Sequence, residues 1–514
     1  MRTKGQTRDT NTAAALAASA TSSDPGTPPK TVGIHTFGCR LNQFESDGII
    51  SRFLEGRDYE LSDVAGGPDI AIINTCTVTD QAEARSRALV RKILRNNPQS
   101  KIVVTGCYAQ TDPDKVAAIP GVYAVVGNDQ KTGLRSLVEE LENQAPVARA
   151  QQIPGASEDS AANAKAPIFS GGGLDRAKGQ TKRPVIENPF AYGDVIPVGH
   201  SRAYLKIQDG CDRRCSYCKI PRARGGGVSR SYAEILDHVK RLDDRGIPEI
   251  VITGVNPGWY RDQGIGFNDL IGSILDRLTY SRLRLSSIEP CDVDQELAEL
   301  SLHPAFCNYF HVPLQSGSRE ILKLMRRTYS AESYRKRMET VRKINPDVFM
   351  GTDVITGFPG ETESHFQETL DLMADLGIVQ VHAFPYSPRE GTDALNLPNP
   401  VDRGVSKERV RRLQEFSANQ WNRYLGRVVG QRRIAVVEKL DQAAGTGNAL
   451  SEDYVRIEFD LALVPDEALK QTAIPGDSGL QGQLCEFQIQ QVSGNKTVTG
   501  ELRAVLPEGI SSIL

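Results

Sequence analysis

The chain has 514 residues with 39% hydrophobic and 24% charged side chains, which is typical of a globular protein of about three domains. Its net charge of −3 excludes a protein coated in positive charge, so any nucleic-acid surface must be local. No run approaches the roughly 20 apolar residues of a membrane span, and the apolar stretch within residues 1–30 is too short for a secretion signal, so these residues are predicted to form a disordered tail.

Residues 31–145 are predicted to form an open parallel α/β sheet. Short apolar runs at 31–36, 70–74 and 101–105 predict strands. Asp80-Gln-Ala-Glu83 resembles a capping box and predicts a helix that ends before Pro98. Strands that alternate with helices in this way are typical of a parallel sheet with crossover helices.

A cysteine follows each of these strands: Cys39, Cys76 and Cys107. Sites in open α/β sheets lie beyond the carboxyl ends of the strands, so neighbouring strands would bring the thiols together. Gly38 and Gly106 leave room beside two of them for a bulky cofactor. Three thiols without a fourth predict a 4Fe–4S cluster with one iron free of protein ligands. The alternative is a set of three buried, inert cysteines.

Residues 146–200 are rich in Ala, Gly, Ser and Pro and are predicted to be a flexible inserted linker. Residues 201–425 then alternate between extended runs and helical stretches such as 232–245 and 330–344. The extended runs are 203–207, 249–253, 282–288, 309–312, 348–355 and 379–384. Repeated βα units of this kind predict a partial (β/α)6 barrel with its chemistry at the carboxyl ends of the strands.

The loop after the first of these strands contains Cys211, Cys215 and Cys218, in the spacing Cys-x-x-x-Cys-x-x-Cys. Three thiolates so close in sequence can hold three irons of a 4Fe–4S cluster and leave the fourth iron for a small molecule. Zinc normally takes four ligands, often as two Cys-x-x-Cys pairs, and the chain has no second pair. A disulfide would leave one thiol over, and nothing else indicates an oxidising compartment.

From about Gly426 to residue 505, short alternating runs such as 433–437, 454–458 and 484–489 predict a small β-barrel. Small barrels of this type commonly bind oligonucleotides, although a barrel that only adds stability has the same pattern. Basic residues are concentrated within 202–230 and 407–433. These stretches are either solvated helix faces or local RNA contacts.

With both cysteine triplets, the chain resembles the radical S-adenosylmethionine (SAM) methylthiotransferases over roughly residues 31–135 and 200–500. The similar segments are Thr36-Phe-Gly-Cys-Arg-Leu-Asn-Gln-Phe-Glu-Ser46, 74–79, 105–108, 209–225, 286–290, 311–317, 352–362 and 384–387. The sequences of segments 42–46, 76–79 and 325–329 are most similar to those of the branch that acts on threonylcarbamoyl-adenosine in tRNA. The chain departs from the family at Lys219, which is usually apolar, and in the loop 256–260.

The resemblance implies two 4Fe–4S clusters and SAM as cofactors. In this family the open iron of the Cys211, Cys215 and Cys218 cluster binds SAM, and an aromatic residue, here Tyr217, precedes the last cysteine. Further SAM contacts are expected at Thr253, Gly254, Glu289 and Gln315. The N-terminal residues 31–145 would then be the methylthiotransferase domain, residues 201–425 the radical-SAM domain and residues 426–505 an RNA-binding TRAM-like domain.

The implied reaction begins with reductive cleavage of SAM and abstraction of hydrogen from carbon 2 of the adenine. General acids and bases cannot break such a C–H bond, so a cofactor must do so. Sulfur would pass through the cluster at Cys39, Cys76 and Cys107, and a second SAM would supply the methyl group. The expected partners are the anticodon loop of tRNA, an electron donor such as flavodoxin or ferredoxin, and a sulfur donor, in the cytoplasm and without a membrane.

Other substrates and another class of function fit the same pattern. Related enzymes act on isopentenyl-adenosine in tRNA or on an aspartate of a ribosomal protein. A non-catalytic iron–sulfur protein that binds RNA would also carry the clusters, but it would not cleave SAM.

Overall fold

The computed structural model describes residues 28–56, 58–77, 80–143, 165–170, 184–464 and 479–512. The chain divides into two compact units. The first comprises Met1–Gly199, Asp209–Asp212 and Lys219–Gly226, and the second comprises His200–Gln208, Arg213–Cys218 and Gly227–Leu514. Cys211 therefore belongs to the first unit, whereas Cys215 and Cys218 belong to the second.

The first unit contains a parallel sheet. Its strands are β1 (Lys30–Thr36), β2 (Tyr59–Leu61), β3 (Ile70–Thr75), β4 (Lys101–Gly106), β5 (Val122–Val126) and β6 (Ile168–Phe169). They follow the order β2-β1-β3-β4-β5-β6, and every neighbouring pair is parallel. All residues of β3 are buried, as expected for a central strand that is covered on both faces.

Helices connect and cover these strands. They are α1 (Arg40–Leu54), α2 (Asp80–Asn96), α3 (Cys107–Thr111), α4 (Pro113–Ala117), α5 (Leu134–Asn143) and α6 (Ile220–Arg224). The apolar core on one side of the sheet includes Ile73, Ile93, Val104, Val116 and Val125. This core fixes the carboxyl ends of β3 and β4, where two of the cysteines begin the following segments.

The predicted strands at 31–36, 70–74 and 101–105 are confirmed as β1, β3 and β4, and they are neighbours in the sheet. The predicted helix is confirmed as α2, but the side chains of its capping-box residues lie outside the described part of the chain. Part of the predicted linker is a strand instead: Ile168–Phe169 forms β6, which pairs with β5 at the edge of the sheet. Most of the remaining linker, and the predicted tail up to residue 27, lie outside the described residues.

The second unit contains the predicted parallel barrel strands. Two sheets have the orders β11-β10-β7 and β12-β13-β14. The strands are β7 (Arg202–Lys206), β10 (Glu249–Thr253), β11 (Arg282–Leu285), β12 (Tyr309–His311), β13 (Phe349–Thr356) and β14 (Gln380–Pro385). A parallel bridge between Ser287 and His311 links the two sheets. The six extended runs predicted from the sequence are therefore confirmed as the strands of a partial (β/α)6 barrel.

Short strands β8 (Gln208–Asp209) and β9 (Val228–Ser229) flank the second cysteine triplet in sequence. The helices of the second unit are α7 (Tyr232–Asp244), α8 (Phe267–Leu275), α9 (Gln295–Leu300), α10 (Arg319–Leu324), α11 (Ala331–Ile344), α12 (Glu363–Asp375) and α13 (Arg403–Val428). Their apolar faces cover the strands in a core that includes Leu205, Ile252, Leu285, Phe310 and Val354.

The C-terminal residues of the second unit form the predicted β-barrel. Strands β15 (Arg432–Asp441), β16 (Thr446–Ser451), β17 (Arg456–Asp460), β18 (Leu484–Gly494) and β19 (Thr497–Val505) close in the order β15-β16-β17-β19-β18. Trp421 and Leu425 of α13 pack into the same core as Val437 and Phe487. Among the helices that the structure describes, none is long and apolar enough to cross a membrane.

Candidate iron–sulfur sites

The first cysteine triplet begins at Cys39, which caps the N-terminus of α1. The preceding Gly38 has φ of 114°, which favours glycine, and a Cβ there would lie 2.8 Å from Cys76 Cβ and 3.2 Å from Cys76 Sγ. A side chain at this position would therefore collide with Cys76. The absence of one lets Cys76 pack directly against the backbone that precedes Cys39.

Cys107 is held in the same region by the end of β4. Gly106 has φ of 97°, and a Cβ on it would lie 2.4 Å from the carbonyl oxygen of Thr75. This close approach of β4 to β3 positions Cys107 at the start of α3. Cys107 is buried, and Asn128 Nδ2 donates a weak hydrogen bond to its Sγ at 3.9 Å.

The three thiols converge as predicted from their placement after neighbouring strands. Desolvation by the surrounding protein raises the pKa of the Cys39 thiol, and the charge of Arg224 opposes this shift. Cys107 is close enough to raise the pKa of Cys39 further. Cys39 is exposed, Cys76 half-buried and Cys107 buried, so the triplet extends from the surface into the interior. The alternative of three buried, inert cysteines does not describe Cys39. Whether the triplet binds iron stays a prediction.

A buried ionic network lies beside this triplet, with Glu45 at its centre. Lys131 Nζ donates to Glu45 Oε2 at 2.5 Å, and Arg224 Nη1 donates to Glu45 Oε1 at 2.8 Å. Arg224 also donates to Asp209 at 3.1 Å and to Asn42 Oδ1 at 2.5 Å. All five residues are buried, which makes the loss of any one partner costly.

The cysteines and the carboxylates of the network affect the pKa values of its two cations, Arg224 and Lys131. Burial lowers the pKa of Arg224, but Asp209, Cys107 and Glu45 outweigh it and hold that pKa well above its usual range. Burial lowers the pKa of Lys131, with Glu45 opposing. Arg224 belongs to the basic stretch considered for RNA contact, and its burial removes it from that role. Glu45 lies in the segment 36–46 that carries the family resemblance, whereas Lys131 had no recognisable signal in the sequence.

The second triplet is divided between the two units. In the first unit, the Cys211 N–H donates to the Gly225 carbonyl at 3.1 Å. In the second unit, the Cys218 N–H donates to the Cys215 carbonyl at 3.2 Å. Cys211, Cys215 and Cys218 are all half-buried, and none of the three forms a disulfide. Their surfaces are thus accessible to a cofactor, as ligands of an open cluster must be.

The segment around Tyr217 is anchored in the second unit by hydrogen bonds and packing. The Ser216 N–H donates to the Met325 carbonyl at 3.1 Å, and Ser216 Oγ donates to the Leu324 carbonyl at 2.8 Å. The Tyr217 ring lies edge-on to Phe358 with 6.2 Å between ring centroids. Burial raises the pKa of Tyr217 well above its usual range, so the ring stays neutral, and it packs against the cluster that contains Met325 and Phe358.

Arg327 links Cys215 to a carboxylate that was predicted to contact SAM. Its Nη1 donates to Cys215 Sγ at 3.3 Å, and its Nη2 donates to Glu289. Burial lowers the pKa of Arg327, but Tyr329, Tyr217, Glu289 and Cys215 together raise it above its usual range. Arg327 therefore stays charged beside the thiol. Arg327 lies in the segment 325–329 that resembles one branch of the family, but its contact with Cys215, 112 positions away in sequence, had no local signal.

Thr253 ends β10 and Gly254 follows it, at the point where a SAM contact was predicted. The Thr253 carbonyl accepts from the Ile207 N–H at 3.0 Å, and a Cβ on Gly254 would lie 3.0 Å from the Gln208 carbonyl. The neighbouring Asn256 is buried, and both polar atoms of its side chain lack a partner among the described residues. Buried orphan amide groups are rare and indicate a ligand or water partner. This donor and acceptor fit the polar end of SAM.

Gln315, another predicted SAM contact, is in a strained backbone conformation. Its φ of 62° lies in the left-handed region that non-glycine residues seldom adopt. The Gln315 N–H donates to the Asp353 carbonyl at 2.8 Å, and its own carbonyl accepts from the Ile355 N–H at 3.0 Å. Strain of this type is maintained by surrounding contacts and is concentrated at functional sites.

The chain is similar in sequence to known proteins. The model of the Radical SAM superfamily matches residues 205–373, and that of the Uncharacterized protein family UPF0004 matches residues 31–127. Threonylcarbamoyladenosine tRNA methylthiotransferase MtaB of Bacillus subtilis is 34% identical over 84% of this chain and 90% of its own length. The chain belongs to the radical-SAM methylthiotransferase family.

Other members of the family are similar over comparable lengths. The MtaB protein of Thermotoga maritima is 33% identical over 84% of this chain and 91% of its own. The tRNA-2-methylthio-N(6)-dimethylallyladenosine synthase of Erythrobacter litoralis is 28% identical over 90% of this chain and 99% of its own. Among solved structures, the radical SAM methyltransferase TsrM of Kitasatospora setae is 18% identical, with a TM-score of 0.49 over 70% of this chain and 72% of that one.

The predicted family, fold class and enzyme class are confirmed. Radical-SAM methylthiotransferases use SAM and 4Fe–4S clusters. The donor sets fit these cofactors: each triplet offers three thiols, Gly38 and Gly106 leave space beside the first, and the Asn256 amide is available at the end of β10.

Proposed function

We propose that this methylthiotransferase adds a methylthio group to carbon 2 of threonylcarbamoyl-adenosine, next to the anticodon of tRNA. The main support is the similarity to proteins named for that nucleoside, at 34% and 33% identity over most of the chain. Proteins named for dimethylallyl-adenosine are less similar, at 28% and 30%. Modification of dimethylallyl-adenosine, the isopentenyl-adenosine expected as an alternative, is therefore the second candidate.

The cysteines Cys211, Cys215 and Cys218 hold the cluster that binds SAM. When bound, this cluster and SAM supply the radical chemistry that no side chain can provide. The chain supports it in the second unit through Arg327, whose charged Nη1 lies 3.3 Å from Cys215 Sγ. A positive donor next to a ligating thiolate stabilises the negative charge of the cluster and shifts its potential.

Cys39, Cys76 and Cys107 hold the second cluster, at which sulfur is handled. The convergence of the three thiols at the carboxyl ends of β1, β3 and β4 supports this role. The buried network of Glu45, Lys131 and Arg224 keeps the supporting helices in position. Because Cys39 is exposed, one side of the triplet is open to a substrate or a sulfur donor.

The SAM contacts are Tyr217, Thr253, Gly254 and Gln315, to which the structure adds the amide of Asn256. Glu289, the other expected SAM contact, pairs with Arg327 through its carboxylate. It therefore also acts as a positioning residue that orients the guanidinium toward Cys215.

The C-terminal barrel binds the tRNA. Its closed strand order is that of the small barrels that hold oligonucleotides. The preceding basic stretch contributes less than its composition indicates, because Arg409 pairs with Glu361 at 2.7 Å and Arg411 pairs with Glu408 and Glu415. Action on tRNA implies work in the cytoplasm, with an electron donor such as flavodoxin or ferredoxin and a separate sulfur donor.

The test is mass spectrometry of digested tRNA from cells with and without this gene. We expect loss of the 2-methylthio form of threonylcarbamoyl-adenosine alone, with restoration by the wild type and by Cys291→Ser but not by Cys215→Ala. Cys291 is a half-buried cysteine outside both triplets and is the matched control. Loss of the dimethylallyl form instead would favour the second candidate. Unchanged tRNA would overturn the proposal and direct the search to an aspartate of a ribosomal protein.

A further inference from the structure

Three neighbouring strands of the second unit bring together two histidines and an aspartate. His311 ends β12, Asp353 lies in β13 and His382 lies in β14, directly opposite Asp353 in the parallel register. His311 Nε2 lies 2.9 Å and His382 Nδ1 lies 3.3 Å from the same oxygen, Asp353 Oδ1. The potential ligand atoms of all three residues lie within 4.8 Å of one another.

Hydrogen bonds behind both rings aim the remaining nitrogens at Asp353. The Tyr309 hydroxyl lies 3.0 Å from His311 Nδ1. In the tautomer with the proton on Nδ1, this nitrogen donates to the hydroxyl and the Nε2 lone pair faces the carboxylate. Gln380 Nε2 lies 2.8 Å from His382 Nε2, while its Oε1 is buried without a partner among the described residues. When the amide oxygen and nitrogen are exchanged, the oxygen accepts from His382 Nε2–H and the His382 Nδ1 lone pair faces Asp353.

This is the arrangement that metal-binding histidines require. Their distal nitrogens are normally held by an outer partner, which fixes the tautomer and the ring orientation. Ligand atoms about 2.1 Å from a metal and at right angles to each other are separated by about 3.0 Å. The observed separations of 2.9 and 3.3 Å match that spacing.

We propose that His311, Asp353 and His382 bind a divalent transition-metal ion. Two imidazoles and one carboxylate suit Mn²⁺, Fe²⁺, Co²⁺ or Zn²⁺, and such a set leaves coordination positions open. The open side is indicated by exposure: the side chain of His311 is 4% exposed, that of Asp353 23% and that of His382 45%. The free positions therefore face away from the buried Tyr309 and toward the exposed side of His382 on β14.

The open positions would take carboxylate oxygens of the substrate. This clause rests on the proposed function, since the threonyl group of threonylcarbamoyl-adenosine carries a carboxylate and a dimethylallyl group carries none. The site adjoins a predicted SAM contact, because the Gln315 N–H donates to the Asp353 carbonyl at 2.8 Å. A metal ion here would discriminate between the two nucleosides by charge.

The test is an anaerobic titration of the holoenzyme with Mn²⁺, followed by the room-temperature electron paramagnetic resonance signal of the free ion. We expect the wild type to bind one Mn²⁺ per chain. The affinity for Mn²⁺ should fall at least about tenfold in Asp353→Asn and in His382→Gln. Asp371→Asn, an exposed carboxylate on α12, should bind as the wild type does. Iron and sulfide contents that match the wild type show that the variants are folded and loaded.

The metal site would be overturned if the wild type does not reduce the signal of free Mn²⁺. It would also be overturned if the wild type and Asp353→Asn bind Mn²⁺ equally. A second measurement compares RNA stem-loops that carry threonylcarbamoyl- or dimethylallyl-adenosine. Mn²⁺ should strengthen binding of the first alone, and only in the wild type. Equal effects on both would overturn the carboxylate contact. If neither RNA is methylthiolated, the proposed function fails, but the Mn²⁺ titration still decides the metal site.

Discussion

Arg224 donates to Glu45 at 2.8 Å across 179 positions of sequence, and both side chains are buried in the first unit. Glu45 lies on α1, which follows Cys39, and Arg224 lies on α6, which follows the Cys211 loop. One ion pair thus connects the segments that follow the two cysteine motifs. Such a pair stabilises little against an apolar core, but it is costly to break.

Arg224→Leu should therefore destabilise the first unit by about 3–5 kcal/mol, because Glu45 and Asp209 would both lose the buried cation that Arg224 supplies. We expect a lower thermal midpoint and loss of iron on purification. Arg222→Leu, at a half-buried position of the same helix, is the matched control and should keep both near the wild type. Equal behaviour of the two variants in calorimetry and iron assays would refute the role of the network.

Gly38→Ala should displace Cys76 and impair the first triplet. The added Cβ would lie 2.8 Å from Cys76 Cβ, at a φ of 114° that also strains alanine. Gly66→Ala is the control, because nothing lies within 4 Å of a Cβ at that position. Iron analysis after reconstitution should show a loss of about half of the iron in Gly38→Ala and no loss in Gly66→Ala. Full iron occupancy in both variants would show that iron binding does not require the close packing at Gly38.

Arg327→Gln should make the cluster held by Cys215 harder to reduce. The substitution removes a positive charge and a donor 3.3 Å from Cys215 Sγ, and both favour the more negative, reduced cluster. A potentiometric titration monitored by electron paramagnetic resonance should show a lower midpoint potential with unchanged iron content. Arg326→Gln, at an exposed neighbour that pairs with Asp393, should leave the potential unchanged. An unshifted potential in Arg327→Gln would rule out this tuning.

Glu249→Gln should destabilise the second unit by about 3–5 kcal/mol. Glu249 is fully buried and accepts from Arg282 at 2.7 Å and from Arg284 at 2.8 Å. These arginines in turn donate to backbone carbonyls of the C-terminal strands, including Ile434 and Leu450 at 2.9 Å each. Chemical denaturation is the measurement, and the exposed Glu339→Gln is the control.

The same carboxylate predicts the pH dependence of stability. Burial raises the pKa of Glu249, but Arg284, Arg282 and Arg202 outweigh it and hold that pKa well below the unfolded value of 4.5. Its contribution is therefore present above pH 4.5 and is lost as the pH falls below that value. Glu249→Gln should flatten this acid limb of the stability curve. An acid limb of unchanged slope would show that other carboxylates determine it.

Much of the fold and part of the candidate sites could be predicted because their signals are local. Apolar runs identified β1, β3, β4 and the six barrel strands, since hydrophobic periodicity is set within a few residues. The edge strand β6 was missed, because Ile168–Phe169 is too short to show periodicity and owes its conformation to pairing with β5. The convergence of Cys39, Cys76 and Cys107 followed from the rule that parallel strands end at one edge.

The sequence by itself determined the family, the order of the strands along the chain and the cysteines that carry the proposed clusters, because residue spacing and element period are written locally. Only the tertiary structure decided which charged side chains lie beside the cysteines and the other proposed ligands. Arg327 lies 112 positions from Cys215, Lys131 lies 86 from Glu45, and Asp353 lies 42 from His311. Contacts at such separations form when burial makes an unpaired charge costly, and that cost depends on the folded core rather than on neighbours in sequence.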